Sequence, residues 1–189
     1  MKKLILLSMI LLFGFSHAQF EIGTISAGTL LNYSVYNPTG EGGNAYGKAV
    51  VGSQTIIYQS IKPTISYFVK PNLSVDGLVG RTSITYKGDK TSQSLIGGGL
   101  TYYLGMPYIG GSFIRMNSDT DLYNSSSNDL EFHGGYLYNI VENVYLDIGI
   151  SYLFGIGNTE FDYGSETTSA DNNEKLAQVS LGIKAYFSR

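Results

Sequence analysis

From Gln19 to the end of the chain, apolar side chains recur at every second position in one segment after another, and helical periodicity is nearly absent. Successive side chains of an extended strand point to opposite faces, so this period describes strands with two unlike surfaces. Ile25, Ala27, Leu31, Tyr33 and Val35 share one parity, opposite Thr24, Ser26, Gly28, Asn32 and Ser34. The split recurs with Ile61, Ile65, Tyr67 and Val69 against Ser60, Lys62, Thr64 and Ser66, and with Leu73, Val75 and Val79 against Ser74, Asp76 and Thr82. It returns over residues 96–104, 130–140, 144–154 and 177–187. Residues 108–116 alternate poorly; counted as a strand, they bring the total to eight.

Such strands need a place for their apolar faces and partners for their backbone edges. Lys2 and Lys3, an apolar run over residues 4–15 and then Ser16-His17-Ala18 form the pattern of a secretory signal cleaved before Gln19. The run is too short to cross a bilayer as a helix, which takes roughly 20 residues, so an uncleaved anchor is the less favoured reading. Residues 19–189 then form one domain. Without Lys2 and Lys3 they carry 10 basic against 15 acidic residues, a balance that argues against nucleic-acid binding. The chain has no cysteine, hence no lipid anchor on one, no disulfide and no thiolate metal site. Only 14% of its residues are charged. A soluble domain averages about 25%. No later stretch is long and apolar enough for a transmembrane helix. An exported, charge-poor chain of strands satisfies its backbone in lipid by closing the sheet on itself, which leaves no edge. The expected fold class is therefore all-β, an eight-stranded antiparallel up-and-down transmembrane β-barrel. The rival is a secreted lipocalin-like soluble barrel, which puts the apolar parity inside and the polar parity in water.

The connections alternate in length. Lys70-Pro71-Asn72, Gly105-Met106-Pro107 and Val141-Glu142-Asn143 are tight, whereas residues 37–53, 86–92, 117–129 and 157–173 read as long polar loops rich in Gly, Ser, Asn and Asp. Outer-membrane barrels have short periplasmic turns, long outer loops and an even strand number. The expectation is thus a bacterial outer-membrane location with both mature termini in the periplasm and mobile outer loops.

Residues 61–75, with Lys62-Pro63-Thr64 and Lys70-Pro71-Asn72 inside them, resemble the second hairpin of the small outer membrane protein β-barrel family, porin-like eight-stranded barrels of the OmpA/OmpW type common in Bacteroidetes-type bacteria. The end of the chain is similar to that family's assembly signal: a polar residue, a glycine two later, and hydrophobic residues three and five beyond it. Ser180, Gly182, Ala185 and Phe187 occupy those places, with a small side chain at Ala185 and Ser188-Arg189 after the aromatic. The resemblance implies the barrel, its location and two partners: outer-membrane lipids, and the insertion machinery that reads the last strand. It implies no substrate, because such folds serve as anchors, adhesins, pores or enzymes.

Candidate chemistry is sparse. His133 is the one histidine left after signal removal; it lies on the polar parity near Glu131, which turns it inward and away from lipid, so catalysis is disfavoured and no catalytic residue is assigned. A lone histidine supports no metal site, and nothing calls for a cofactor. Gly97-Gly98-Gly99 lacks the helix and Lys-Ser/Thr of a phosphate loop, and room for a bulky neighbour inside a narrow barrel explains it better. Tyr67, Phe68, Tyr102, Tyr103, Tyr108, Tyr138, Tyr145 and Phe187 stand near strand ends and read as interfacial girdle residues, in preference to a ligand-stacking surface.

The charges are the most informative set. Lys62, Arg115 and Lys184 are matched by Asp76, Glu131 and Asp147, all assigned to the polar parity. A Lys or Arg facing acyl chains at the membrane centre costs about 2–4 kcal/mol, so these charges are expected inside. Arg81 carries the lipid parity near the outer rim, where its side chain can snorkel to head groups. Eight strands leave an interior that side chains can fill. The expected arrangement is an ion-pair network plugging the barrel, with Arg115 opposite Glu131 and Asp147 opposite Lys184, Asp76 joining the lower pair and Lys62 the upper. The expected function is structural or surface-interacting, as a monomer and not as an enzyme; the alternative is a passive pore or carrier for a small solute.

Overall fold

The computed structural model describes residues 20–36, 56–86, 88–119, 123–164, 166–172 and 175–187. The signal segment and the connection at 37–53 lie outside these. Nine strands are present among the described residues: β1 Ile25–Tyr36, β2 Ile56–Lys70, β3 Leu73–Tyr86, β4 Asp89–Tyr103, β5 Pro107–Asp119, β6 Asn124–Val141, β7 Val144–Asp162, β8 Thr167–Asp171 and β9 Lys175–Phe187. Neighbours pair antiparallel in chain order from β1 to β7, β9 pairs with β7, and β9 also pairs with β1 from Ile25↔Phe187 to Tyr33↔Val179. The ring therefore closes on eight strands in up-and-down order. β8 pairs with β7 alone, over Asn158–Asp162, and stands outside the ring as a short hairpin extension.

The expected tight turns are where the sequence places them. Asn72 and Asn143 adopt φ of 62° and 61°, and Gly105 adopts 93°. That left-handed region is open to glycine and tolerated by asparagine, the residue types found there. Three of the expected long loops differ from the reading. Residues 86–92 hold a close hairpin, residues 117–129 are largely strand, and residues 157–173 contain the β7–β8 hairpin. Asn and Asp rank low in strand preference, but a paired neighbour satisfies the backbone whatever the side chain, and β6 supplies one from Asn117↔Ser126 to Asp119↔Asn124. At roughly 3.3 Å per residue, 19-residue β7 exceeds the 9–11 residues that cross a bilayer, so its polar end stands beyond the apolar belt.

The two parities part cleanly across the wall. Ile25, Leu31, Ile61, Ile65, Val79 and Ile150 are exposed outside, while Ser26, Asn32, Lys62, Ser66, Asp76 and Asp147 are buried inside. A water-soluble barrel requires the reverse order, so the lipocalin-like alternative is overturned. The wall has room for this interior because inward glycines face large neighbours. A Cβ on Gly135 would stand 2.5 Å from the Tyr108 hydroxyl and 2.6 Å from the Ile148 carbonyl, whereas on outward Gly111 it would meet nothing within 3.6 Å. Gly135→Val is therefore expected to lose most of the folded, heat-modifiable band in SDS gels and Gly111→Ala to keep it, since overpacking against backbone has little room to relax.

Candidate functional site: the barrel interior

The interior is built in three levels, each dictated by what the inward parity carries at that height. At the tight-turn end it carries aromatics. Phe20, ahead of β1, folds into the mouth, with its backbone N–H donating to Asn72 Oδ1 at 3.0 Å and its carbonyl accepting from the Asn72 N–H at 3.1 Å. Its ring stacks on Tyr186 at 4.4 Å and meets Phe68 and Tyr103 at 5.0 Å each. With Tyr108 and Leu137 these rings pack into a floor at that mouth, and Phe68 is wholly buried. This corrects the girdle assignment. Tyr67, Tyr102, Tyr138 and Phe187 do face outward, but Phe68, Tyr103 and Tyr108 face in and Tyr145 packs against the floor. In the doublets Tyr67-Phe68 and Tyr102-Tyr103 a period of two allows only one ring of each to reach lipid.

The middle level is polar and charged. Lys62 Nζ and Glu131 Oε1 form an ion pair, the one pair at salt-bridge distance among the described residues. β2 and β6 are four steps apart on the eight-strand ring, so this pair spans the lumen from wall to opposite wall. Lys184 on β9 donates to the Tyr103 hydroxyl of β4 at 2.8 Å, with its ammonium 5.5 Å from the ring centroid. β4 and β9 are also four steps apart, which makes a second strut running crosswise to the first. Tyr108 donates to Asp147 Oδ1 at 2.5 Å. Asp76 accepts from Ser74 at 2.7 Å and from Thr101 at 2.6 Å. About 50 Å³ of space is left among these groups.

Five of the six expected interior charges, Lys62, Asp76, Glu131, Asp147 and Lys184, thus lie on the inner face. Their partners differ from the expected ones. Arg115 is exposed on the outer face, donating to Ser126 at 3.2 Å, because β5 buries Tyr108, Ser112, Ile114 and Met116 and turns Ile109, Phe113 and Arg115 outward. The β5–β6 register sets Arg115 against Asn128 and Glu131 against Ser112, so a residue on β5 pairs with one of the opposite numerical parity on β6. The expected opposition of Arg115 to Glu131 required equal parity, which this register does not give. Asp147 lies opposite Gly182, and Lys184 opposite Tyr145. Each turns to a tyrosine hydroxyl instead of to the other.

His133 faces in. Its Nε2 lies 3.1 Å from Thr101 Oγ1. The single Thr101 proton is given to Asp76, so the hydroxyl accepts from His133 and is not deprotonated by it. That geometry holds a threonine in place; it does not activate a nucleophile.

Above the struts comes a level the sequence reading missed. Tyr58, Leu78, Ile84, Leu95, Ile114, Met116, Leu153 and Leu176 form a buried apolar belt around the inner wall, leaving about 10 Å³. Its signal was present: Leu78, Ile84, Leu95, Leu153 and Leu176 are apolar residues on the parity otherwise reserved for Ser, Thr, Asp and Lys. At the last strand Ser180 and Gly182 face inward and Ala185 and Phe187 outward. A Cβ on Gly182 would overlap the Thr29 carbonyl, so this position in the closing seam holds only glycine.

No protein family and no curated protein matches the sequence. Among solved structures the chain is similar to the outer membrane protein AlkL, determined in DMPC bilayers, at 19% identity and a TM-score of 0.58, over 92% of this chain and 94% of that one. It is also similar to OprG from Pseudomonas aeruginosa, at 14% identity and a TM-score of 0.56, over 89% of this chain and 98% of that one. The fold is that of an outer-membrane β-barrel. Such a barrel turns its apolar side chains to acyl chains and its polar ones to the lumen, the partition that this wall displays.

Proposed function

We propose that this protein is a non-conducting outer-membrane barrel that holds a polar sheet of extended strands at the cell surface, with a structural or surface-interaction role and no enzymatic one. What supports this most is that side chains fill the lumen at three levels, the aromatic floor, the Lys62–Glu131 strut and the apolar belt. The spaces left between these levels, about 50 and 10 Å³, are of the size that holds a few waters. What differs outside is the far end of β6, β7 and β8, where Asn124, Asn158, Glu160 and Asp162 are exposed on strands that outrun the apolar belt. That end is the surface on which a partner would act. The barrel works as a monomer among outer-membrane lipids, delivered by the insertion machinery through the Ser180, Gly182, Ala185 and Phe187 signal, with both mature termini in the periplasm. The passive pore or carrier would need the floor and both struts to move together.

Cell fractionation with an SDS gel before and after boiling tests the setting. The expected result is an outer-membrane protein, soluble only with detergent, whose mobility changes on heating. For orientation, an epitope inserted at Gly164 in the β7–β8 hairpin should be reached by antibody on intact cells, and one at Glu142 in a tight turn should not. Labelling at Glu142 alone would invert the proposed orientation.

A further inference from the structure

The outer wall carries cations that the interior account does not use. Arg81 on β3 and Lys90 on β4 are exposed, share one shallow groove, and have no ion-pair partner among the described residues. The floor of that groove is apolar toward the belt, with Leu31, Ile61, Val179 and Leu181. Its upper part holds Gln59, Ser83 and Ser92, and among the described residues no acidic one lines it. The outward acids Asp119, Glu160 and Asp162 line an adjoining hollow, which shares Arg81 and Ser92 with the groove. Register makes the groove continuous: Leu31 lies beside Ile61, Ile61 beside Arg81, and Ser83 between Gln59 and Ser92. The Ser83 hydroxyl is buried there with no hydrogen-bond partner. A polar group left without a partner, in a groove that also holds two cations with no ion-pair partner among the described residues, suits an anionic ligand.

We propose that this groove binds a bis-phosphorylated, multiply acylated glycolipid of the membrane leaflet at that rim, with its phosphates on Arg81 and Lys90 and an acyl chain along Leu31, Ile61 and Leu181. Lys90 pairs with Thr85, four residues along β3 from Arg81, so the two cations are about 13 Å apart along the strand at 3.3 Å per residue. That separation suits a disaccharide with one phosphate at each end better than a single phosphodiester. Guanidinium and ammonium groups bind phosphate through short charge-assisted hydrogen bonds, and the neighbouring hydroxyls and amide add neutral ones. Snorkelling alone would explain one long cation above an apolar wall; it does not explain hydroxyls gathered beneath two cations in one groove.

The inference rests on the outer-membrane reading, and one preparation separates the two. Folded protein in detergent is titrated with diphosphorylated lipid A and with the same lipid after phosphatase treatment, and retained lipid is counted by native mass spectrometry. The expected result is one diphosphorylated lipid per barrel, held about tenfold better than the dephosphorylated form, with the preference lost in Arg81→Ala/Lys90→Ala and kept in Lys70→Ala at the opposite rim. Equal retention of both lipids, retention by the double variant at the wild-type level, or equal loss in Lys70→Ala overturns the site. Heat-dependent gel mobility of the same samples reports the barrel, so a folded barrel without lipid preference refutes the site alone, and the absence of a folded barrel refutes the setting.

Discussion

Glu131→Ala is expected to lower stability by about 3–5 kcal/mol, because it leaves the Lys62 ammonium enclosed in the lumen without its counter-charge. Both side chains are almost wholly buried, at 6% and 4% exposure, so water cannot take over the lost partner cheaply. Urea unfolding in detergent micelles reads this as a shift of midpoint at unchanged slope. Lys62→Ala should cost a similar amount. The double substitution should cost less than the sum of the two by about 1–3 kcal/mol, since the penalty of each single change lies in the stranded partner. Lys62→Met with Glu131→Leu should come close to the wild type, as apolar replacements of enclosed ion pairs often do. Additive single effects would mean that the two groups do not meet across the lumen.

Phe20→Ala is the second large effect. The ring sits in the mouth of the barrel, stacked on Tyr186 and edge-on to Tyr103 and Tyr145. Truncating a buried phenylalanine costs about 3–5 kcal/mol, of which part is the cavity left behind. Here the cavity opens at the tight-turn end, so the substitution should also admit small ions as far as the Lys62–Glu131 level. Phe20→Leu, which keeps most of the volume, should recover most of the stability. A Phe20→Ala protein with the wild-type unfolding midpoint would show that the residue ahead of β1 does not contribute to the floor.

The fold was legible because lipid and lumen impose opposite chemistry on alternate residues, and alternation is the one feature a sequence displays without knowledge of partners. Three things were not. Register across a hairpin depends on where the turn lies; with residues 117–129 taken as loop, the sums that place Arg115 beside Asn128 and Glu131 beside Ser112 had no anchor. Partner choice across a lumen depends on strands far apart in sequence. Lys62 and Glu131 are 69 positions apart and meet only because the ring closes with β2 facing β6. Finally, Tyr103 and Tyr108 were read by residue type as girdle members, whereas parity alone already turned one ring of Tyr102-Tyr103 inward. The inner belt of Leu78, Leu95, Leu153 and Leu176 was hidden by the same habit of reading the inner face as polar.

Single-channel recording in a planar bilayer tests the closed lumen most directly. Purified wild-type barrel, inserted in concentrated potassium chloride at neutral pH, should give no discrete current steps if floor, strut and belt close the lumen as proposed. Regular steps from the wild-type protein, with a conductance that scales with salt concentration, would contradict the account and establish an open pore.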